Sequence, residues 1–109
     1  MNARELAILA KIKRYAQQAM EFLGDQDFSA FSCDAKTISA VVFSLGQIGE
    51  LAGRLDDGFT KKYDSIPWRK IRGLRNRIVH DYEGIQLTIV WDVLKDFLPE
   101  LITNIDKIT

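Results

Sequence analysis

Asp34-Ala35-Lys36-Thr37-Ile38-Ser39-Ala40-Val41-Val42-Phe43-Ser44-Leu45-Gly46-Gln47-Ile48-Gly49-Glu50-Leu51-Ala52-Gly53-Arg54-Leu55 carries the pattern that decides the fold. Ile38, Val41, Leu45, Ile48, Ala52 and Leu55 recur at three- and four-residue steps. On a helix turning ~100° per residue they line one face. Asp34 suits the cap, because its short carboxylate can accept from the first free backbone N–H groups. Asp56-Asp57-Gly58 breaks the pattern. Beside the core stripe runs a second one of small residues, Val42, Gly46, Gly49 and Gly53. A glycine inside a helix costs roughly 1 kcal/mol relative to alanine. Such a row implies a close neighbour, either another helix of the same bundle or a second subunit.

The same period extends in both directions. Leu9, Ile12, Ala16, Ala19 and Leu23 form an earlier stripe, and Gly24 stops it. Residues 24–34 read as a connector pinned to the core by Phe28 and Phe31. Ser65 and Pro67 open a third helix, since proline is tolerated only in a first turn. It continues through Trp68, Ile71, Leu74 and Ile78, and Gly84 marks a turn. A last helix carries Leu87, Val90, Trp91, Leu94, Phe97, Leu98, Leu101, Ile102 and Ile105, with Pro99 expected to kink or divide it. No stretch alternates with period two, and neither an internal repeat nor a linker is visible. The expectation is an all-α antiparallel bundle of four main helices, forming one domain over residues 1–109, its last helix kinked near Pro99.

A chain of 109 residues, 47% of them apolar, supports one core and leaves apolar surface for association. Charged residues at 28% argue against disorder. A net charge of zero argues against a wholly basic nucleic-acid binder but not against a basic patch. Cys33 is the only cysteine, so no intrachain disulfide forms. No apolar run approaches the ~20 residues that span a bilayer, and the first residues lack the apolar stretch of a signal peptide. A cytoplasmic protein without membrane contact is expected. One histidine, one cysteine and no close carboxylate cluster are too few ligands for zinc, so neither metal nor cofactor is expected.

The third helix carries the chemistry. Arg69, Lys70, Arg72, Arg75 and Arg77 follow one another with no acid between Asp64 and Asp81. The only histidine, His80, comes five residues after Arg75 and two before Tyr82. A cation, an imidazole and a phenol are groups that a site acting on a phosphodiester needs. On a helical projection Trp68, Ile71, Leu74, Ile78, Val79 and Tyr82 share one side, with Arg75 in their midst. Such an arginine must reach water or meet an anion, and Glu50 is a possible partner. Arg69, Asn76 and His80 fall opposite, while Arg77 and Asp81 are spaced to pair. Arg75 and His80 lie ~140° apart on an ideal helix. Gripping one phosphate therefore requires the helix to loosen before His80 or two subunits to share the site. Each residue also has a plainer reading: a histidine at a helix end, an arginine in a core ion pair, a tyrosine sealing the core.

The chain resembles the HepT-type branch of the HEPN family. The matching residues are Arg75-x4-His80-x-Tyr82 within Ile66-Pro67-Trp68-Arg69-Lys70-Ile71-Arg72-Gly73-Leu74-Arg75-Asn76-Arg77-Ile78-Val79-His80-Asp81-Tyr82, then Val90-Trp91, and Gln47-Ile48-Gly49-Glu50 on the second helix. The resemblance implies an all-α dimer whose paired Arg-x4-His motifs line one cleft and cleave RNA without metal. It also implies a toxin whose antitoxin partner is a small nucleotidyltransferase of the MNT type that transfers AMP to the motif tyrosine, here Tyr82. In this setting Arg75 and His80 are the catalytic pair, Asn76 and Glu50 support them, and Arg69, Arg72 and Arg77 attract the RNA backbone. The alternative is a catalytically inactive helical binding partner of the nucleotidyltransferase.

Overall fold

A computed structural model describes residues 1–79 and 86–109, with the side chain of Val79 excepted. Among the described residues eight helical segments follow one another: α1 (Ala3–Leu23), α2 (Phe28–Ser32), α3 (Ala35–Ala52), α4 (Asp57–Lys62), α5 (Trp68–Val79), α6 (Leu87–Asp92), a π turn (Val93–Phe97) and α7 (Leu98–Ile108). Among the described residues there is no strand. The last three segments are continuous and form the fourth main helix of the bundle.

Side-chain caps start the helices where the sequence changes character. Asn2 and Glu5 form a reciprocal capping box at α1, each side chain accepting from the other's backbone N–H. Asp27, Asp34 and Asp56 accept from the backbone N–H groups of Ala30, Thr37 and Phe59 and so begin α2, α3 and α4. Gly24 ends α1 at φ 57°, a left-handed backbone that residues with a Cβ rarely adopt.

α3 is the central element, packed between α1 on one side and α5 on the other, with α7 also against α1. Its sequence stripe becomes the core: Val41, Leu45, Ile48 and Ala52 are fully buried beside Leu9, Ile12, Ala16, Ile71 and Ile78. Phe31 is also buried, whereas Phe28 stays partly exposed and meets the Trp91 ring edge-on at 5.6 Å.

Two features depart from the expected outline: the 24–34 connector holds the short helix α2, and α3 stops early. α3 ends at Ala52, before Leu55, because the N–H groups of Arg54 and Leu55 turn back tightly to the carbonyls of Leu51 and Ala52. Leu55 is nonetheless buried, and Asp56-Asp57-Gly58 caps and starts the short helix α4 instead of a loop. Near Pro99 the last helix widens into one π turn, where the N–H of Leu98 bonds the carbonyl of Val93. Proline has no N–H, and its ring crowds the carbonyl four residues earlier, so a wider turn just before it relieves both. No helix among the described residues is long and apolar enough to cross a membrane.

Candidate active site

The site is assembled where α5 lies against α3. Its entry is fixed first. The Ile66-Pro67-Trp68 segment folds back so that the Trp68 indole N–H donates to the Tyr63 carbonyl at 3.0 Å. The Trp68 ring sits against Phe59, and its side chain is buried. The Pro67 carbonyl accepts the N–H of Ile71, so proline stands just outside the first helical residue, Trp68.

The two helices cross closely at Gly49. A Cβ added there would lie 2.8 Å from the Arg75 backbone N, 2.9 Å from the Arg75 Cβ and 3.1 Å from the Ile71 carbonyl O. The glycine therefore lets the α5 backbone sit directly on α3. At Gly53, by contrast, the nearest atoms are carbonyls of its own helix, those of Glu50 and Gly49. Part of the small-residue stripe thus serves packing inside the bundle.

Because the backbones touch at Gly49, Arg75 emerges beside the next residue of α3. Its Nε is 2.9 Å from Glu50 Oε2, and the two side chains are 52% and 37% exposed. Arg75 both reaches solvent and meets an anion. The other Glu50 oxygen stands 3.9 Å from Arg54, one helical turn further on. Arg54 was not singled out by sequence, although its four-residue spacing from Glu50 is the signal that finds it. Around this ion pair Ser39, Val42, Phe43, Gly46 and Gln47 enclose, with Glu50 and Arg75, a cleft of about 580 Å³.

The remaining basic residues separate. Arg69, Asn76 and Arg77 are exposed. Arg72 is turned inward: its Nε donates to the Ala52 carbonyl at 3.2 Å and a terminal nitrogen to the Leu55 carbonyl at 2.7 Å. Arg4 donates similarly to the Arg54 carbonyl. These two arginines donate to carbonyls at and just beyond the C-terminal end of α3, where helical donors run out. His80, Tyr82, Asp81 and Gly84 lie outside the described residues. Chemically, the described part offers a half-exposed guanidinium held in place by a carboxylate, on a helix edge with further cations. Such a group binds phosphoryl oxygens.

Residues 12–108 match the family described as Ribonuclease HepT-like. A Methanocaldococcus jannaschii protein named "Putative RNase MJ0127" is 35% identical over 102 residues, covering 94% of this chain and 84% of that protein. "Probable ribonuclease HepT" of Thermococcus cleftensis is 32% identical over 88 residues, covering 81% of this chain and 80% of that protein. No solved structure matches the chain.

Proposed function

The chain belongs to the Ribonuclease HepT-like family, and from that premise we propose that it is a metal-independent endoribonuclease with Arg75 and His80 as its catalytic pair. The observation that carries the reading is the Arg75–Glu50 contact at 2.9 Å. It fixes one edge of the guanidinium while leaving half of the side chain exposed to a substrate.

In the proposed reaction the RNA 2′-oxygen attacks the adjacent phosphorus as the bond to the leaving 5′-oxygen breaks. The products are a 2′,3′-cyclic phosphate and a 5′-hydroxyl. His80 removes the 2′-hydroxyl proton or protonates the leaving oxygen, both suited to imidazole near neutral pH. Arg75 neutralises charge on the phosphoryl oxygens, with Asn76 orienting the phosphate. Arg69 and Arg77 supply a salt-sensitive attraction for the backbone, and Arg72 adds its charge from its anchored position.

We further propose a homodimer that brings two Arg75–His80 pairs to one cleft. Phe43, 60% exposed beside the Arg75 cleft on α3, supports that surface as the place of contact. Two histidines then divide the acid and base roles. The proposed system is a toxin–antitoxin pair with an MNT-type nucleotidyltransferase. The Tyr82 oxygen attacks the α-phosphorus of ATP, pyrophosphate leaves, and the phenolic proton passes to solvent. The added AMP anion then occupies the cleft and offsets its positive field.

Two measurements test the reading. Labelled RNA incubated with purified protein in EDTA should be cut to fragments ending in 2′,3′-cyclic phosphate, whereas uncut RNA would favour a binding partner without catalysis. Intact-mass analysis of the protein co-expressed with a cognate nucleotidyltransferase should show an AMP adduct that is absent from Tyr82→Phe. Full inhibition without an adduct would replace covalent control by occlusion.

A further inference from the structure

A second groove lies on the other side of α5 from Arg75. α5 makes its extensive contacts with α3 and has none of comparable extent with the fourth main helix. Between them the bundle opens into a cleft of about 770 Å³. Leu74 and Ile78 of α5 and Ile89, Val93 and Phe97 of the last helix give it an apolar floor. Lys70 and Arg77 stand on the α5 wall, and Asp92, Asp96 and Glu100 stand on the wall opposite. Among the described residues no ion pair joins the two walls. Gly73 stands between Lys70 and Arg77 on the basic wall, and a Cβ there would meet nothing within 4 Å.

We propose that this groove is a docking site for an amphipathic helix of another protein, whose apolar stripe is flanked by acids on one side and bases on the other. The proposal goes beyond RNA cleavage and does not depend on it. Charge complementarity selects the occupant. Three carboxylates along one wall repel a nucleic-acid backbone, while a helix with mixed flanks satisfies both walls and buries its stripe on the floor. From Lys70 to Ile78 and from Ile89 to Glu100 the walls run about 12 to 16 Å, two to three helical turns. Among its described residues a second copy of the chain offers no matching helix. Its exposed large apolar side chains among the described residues are Met1, Leu6, Phe22, Phe28 and Phe43. No two of these recur on one helix at the three-, four- or seven-residue steps that form a stripe.

The probe is a fluorescein-labelled helical peptide of about three turns with leucines at i, i+4 and i+7, glutamates on one flank and arginines on the other. Two further peptides carry only glutamate or only arginine flanks. Anisotropy with the full chain should give at least about tenfold tighter binding of the mixed peptide, a difference of about 1.4 kcal/mol. Gly73→Trp fills the groove from its open side and should weaken binding by about tenfold or more with the circular dichroism spectrum unchanged. Asp96→Lys with Glu100→Lys makes both walls basic and should shift the preference to the all-glutamate peptide, which keeps the test independent of the tryptophan variant. Equal binding of the three peptides, no binding at all, or no effect of Gly73→Trp overturns the proposal. Arg77 also belongs to the proposed RNA-binding face, so competition by RNA alone does not decide; RNA binding that Gly73→Trp abolishes assigns the groove to nucleic acid and overturns the proposal. Conversion of a dimer to a monomer by Gly73→Trp in sedimentation assigns it to a second copy and overturns the proposal equally.

Discussion

Arg75 meets Glu50 because Gly49, the residue beside that glutamate, has no side chain. With Nε and Oε2 2.9 Å apart and a virtual Cβ on Gly49 only 2.8 Å from the Arg75 backbone N, the ion pair and the helix crossing are one feature. The chemistry of α5 therefore depends on a glycine of α3 that touches no substrate.

Gly49→Ala and Gly73→Ala should change stability in opposite directions. The first places a methyl against backbone atoms of α5 and should cost about 1–3 kcal/mol as overpacking. The second adds a methyl into open space on an exposed helix face and should add up to about 1 kcal/mol through helix propensity. Urea midpoints of the two variants check this, and a Gly49→Ala protein as stable as wild type would contradict the close crossing.

Glu50→Ala should separate stability from activity. Its ion pairs are substantially solvent-exposed, so the loss of stability should stay within about 1 kcal/mol. Freed of its carboxylate, Arg75 loses its fixed orientation, and kcat for RNA cleavage should fall about 10- to 100-fold. Thermal unfolding alongside steady-state cleavage reads both quantities.

Arg72 and Arg69 should differ in kind. Arg72→Ala leaves two carbonyls at the end of α3 without their charged donor and should cost about 1.5–3 kcal/mol. Arg69→Ala should leave the urea midpoint unchanged and reduce the slope of log RNA affinity against log salt by roughly 0.7. A stability loss for Arg69→Ala, or none for Arg72→Ala, would reverse the assignment of roles.

Asp34 should contribute a pH-dependent increment. Hydrogen bonds from the Thr37 hydroxyl, then the Thr37 backbone N–H and the Gln26 amide, hold its carboxyl below the ordinary value of 3.8. The unfolded chain then binds the proton more readily than the native one. The stabilisation is fully present above 3.8 and disappears as pH falls through the lower native value. The stability gap between wild type and Asp34→Asn should narrow on acidification through that window, and a constant gap in urea titrations would contradict it.

The main helices and their buried faces were legible because a three-four period cannot be hidden in long segments. Glu50 was legible only as one possible partner of Arg75: a cation inside an apolar stripe needs an anion within reach, but the pattern does not say which one. Gly49 was visible as an anomaly, but a stripe of small residues does not say which backbone lies across it. Arg72 looks like any member of the basic run, and only the return of the chain after α4 brings it to the carbonyls of Ala52 and Leu55. α4 escaped notice because six residues are too few to show a period, and its capping aspartate reads equally well as a breaker. The groove beside Gly73 was not legible, since its walls come from helices whose separation no local pattern encodes.

Single-turnover cleavage of a labelled RNA in EDTA by wild type, Arg75→Ala, Arg75→Lys and His80→Ala tests the proposed catalytic pair most directly. Wild type should cleave, while the three variants, still helical by circular dichroism, should lose about 100-fold or more in rate, because lysine cannot reproduce the planar fork and alanine supplies no proton transfer. Cleavage by His80→Ala at the wild-type rate, or by wild type only after a divalent metal is restored, would contradict it.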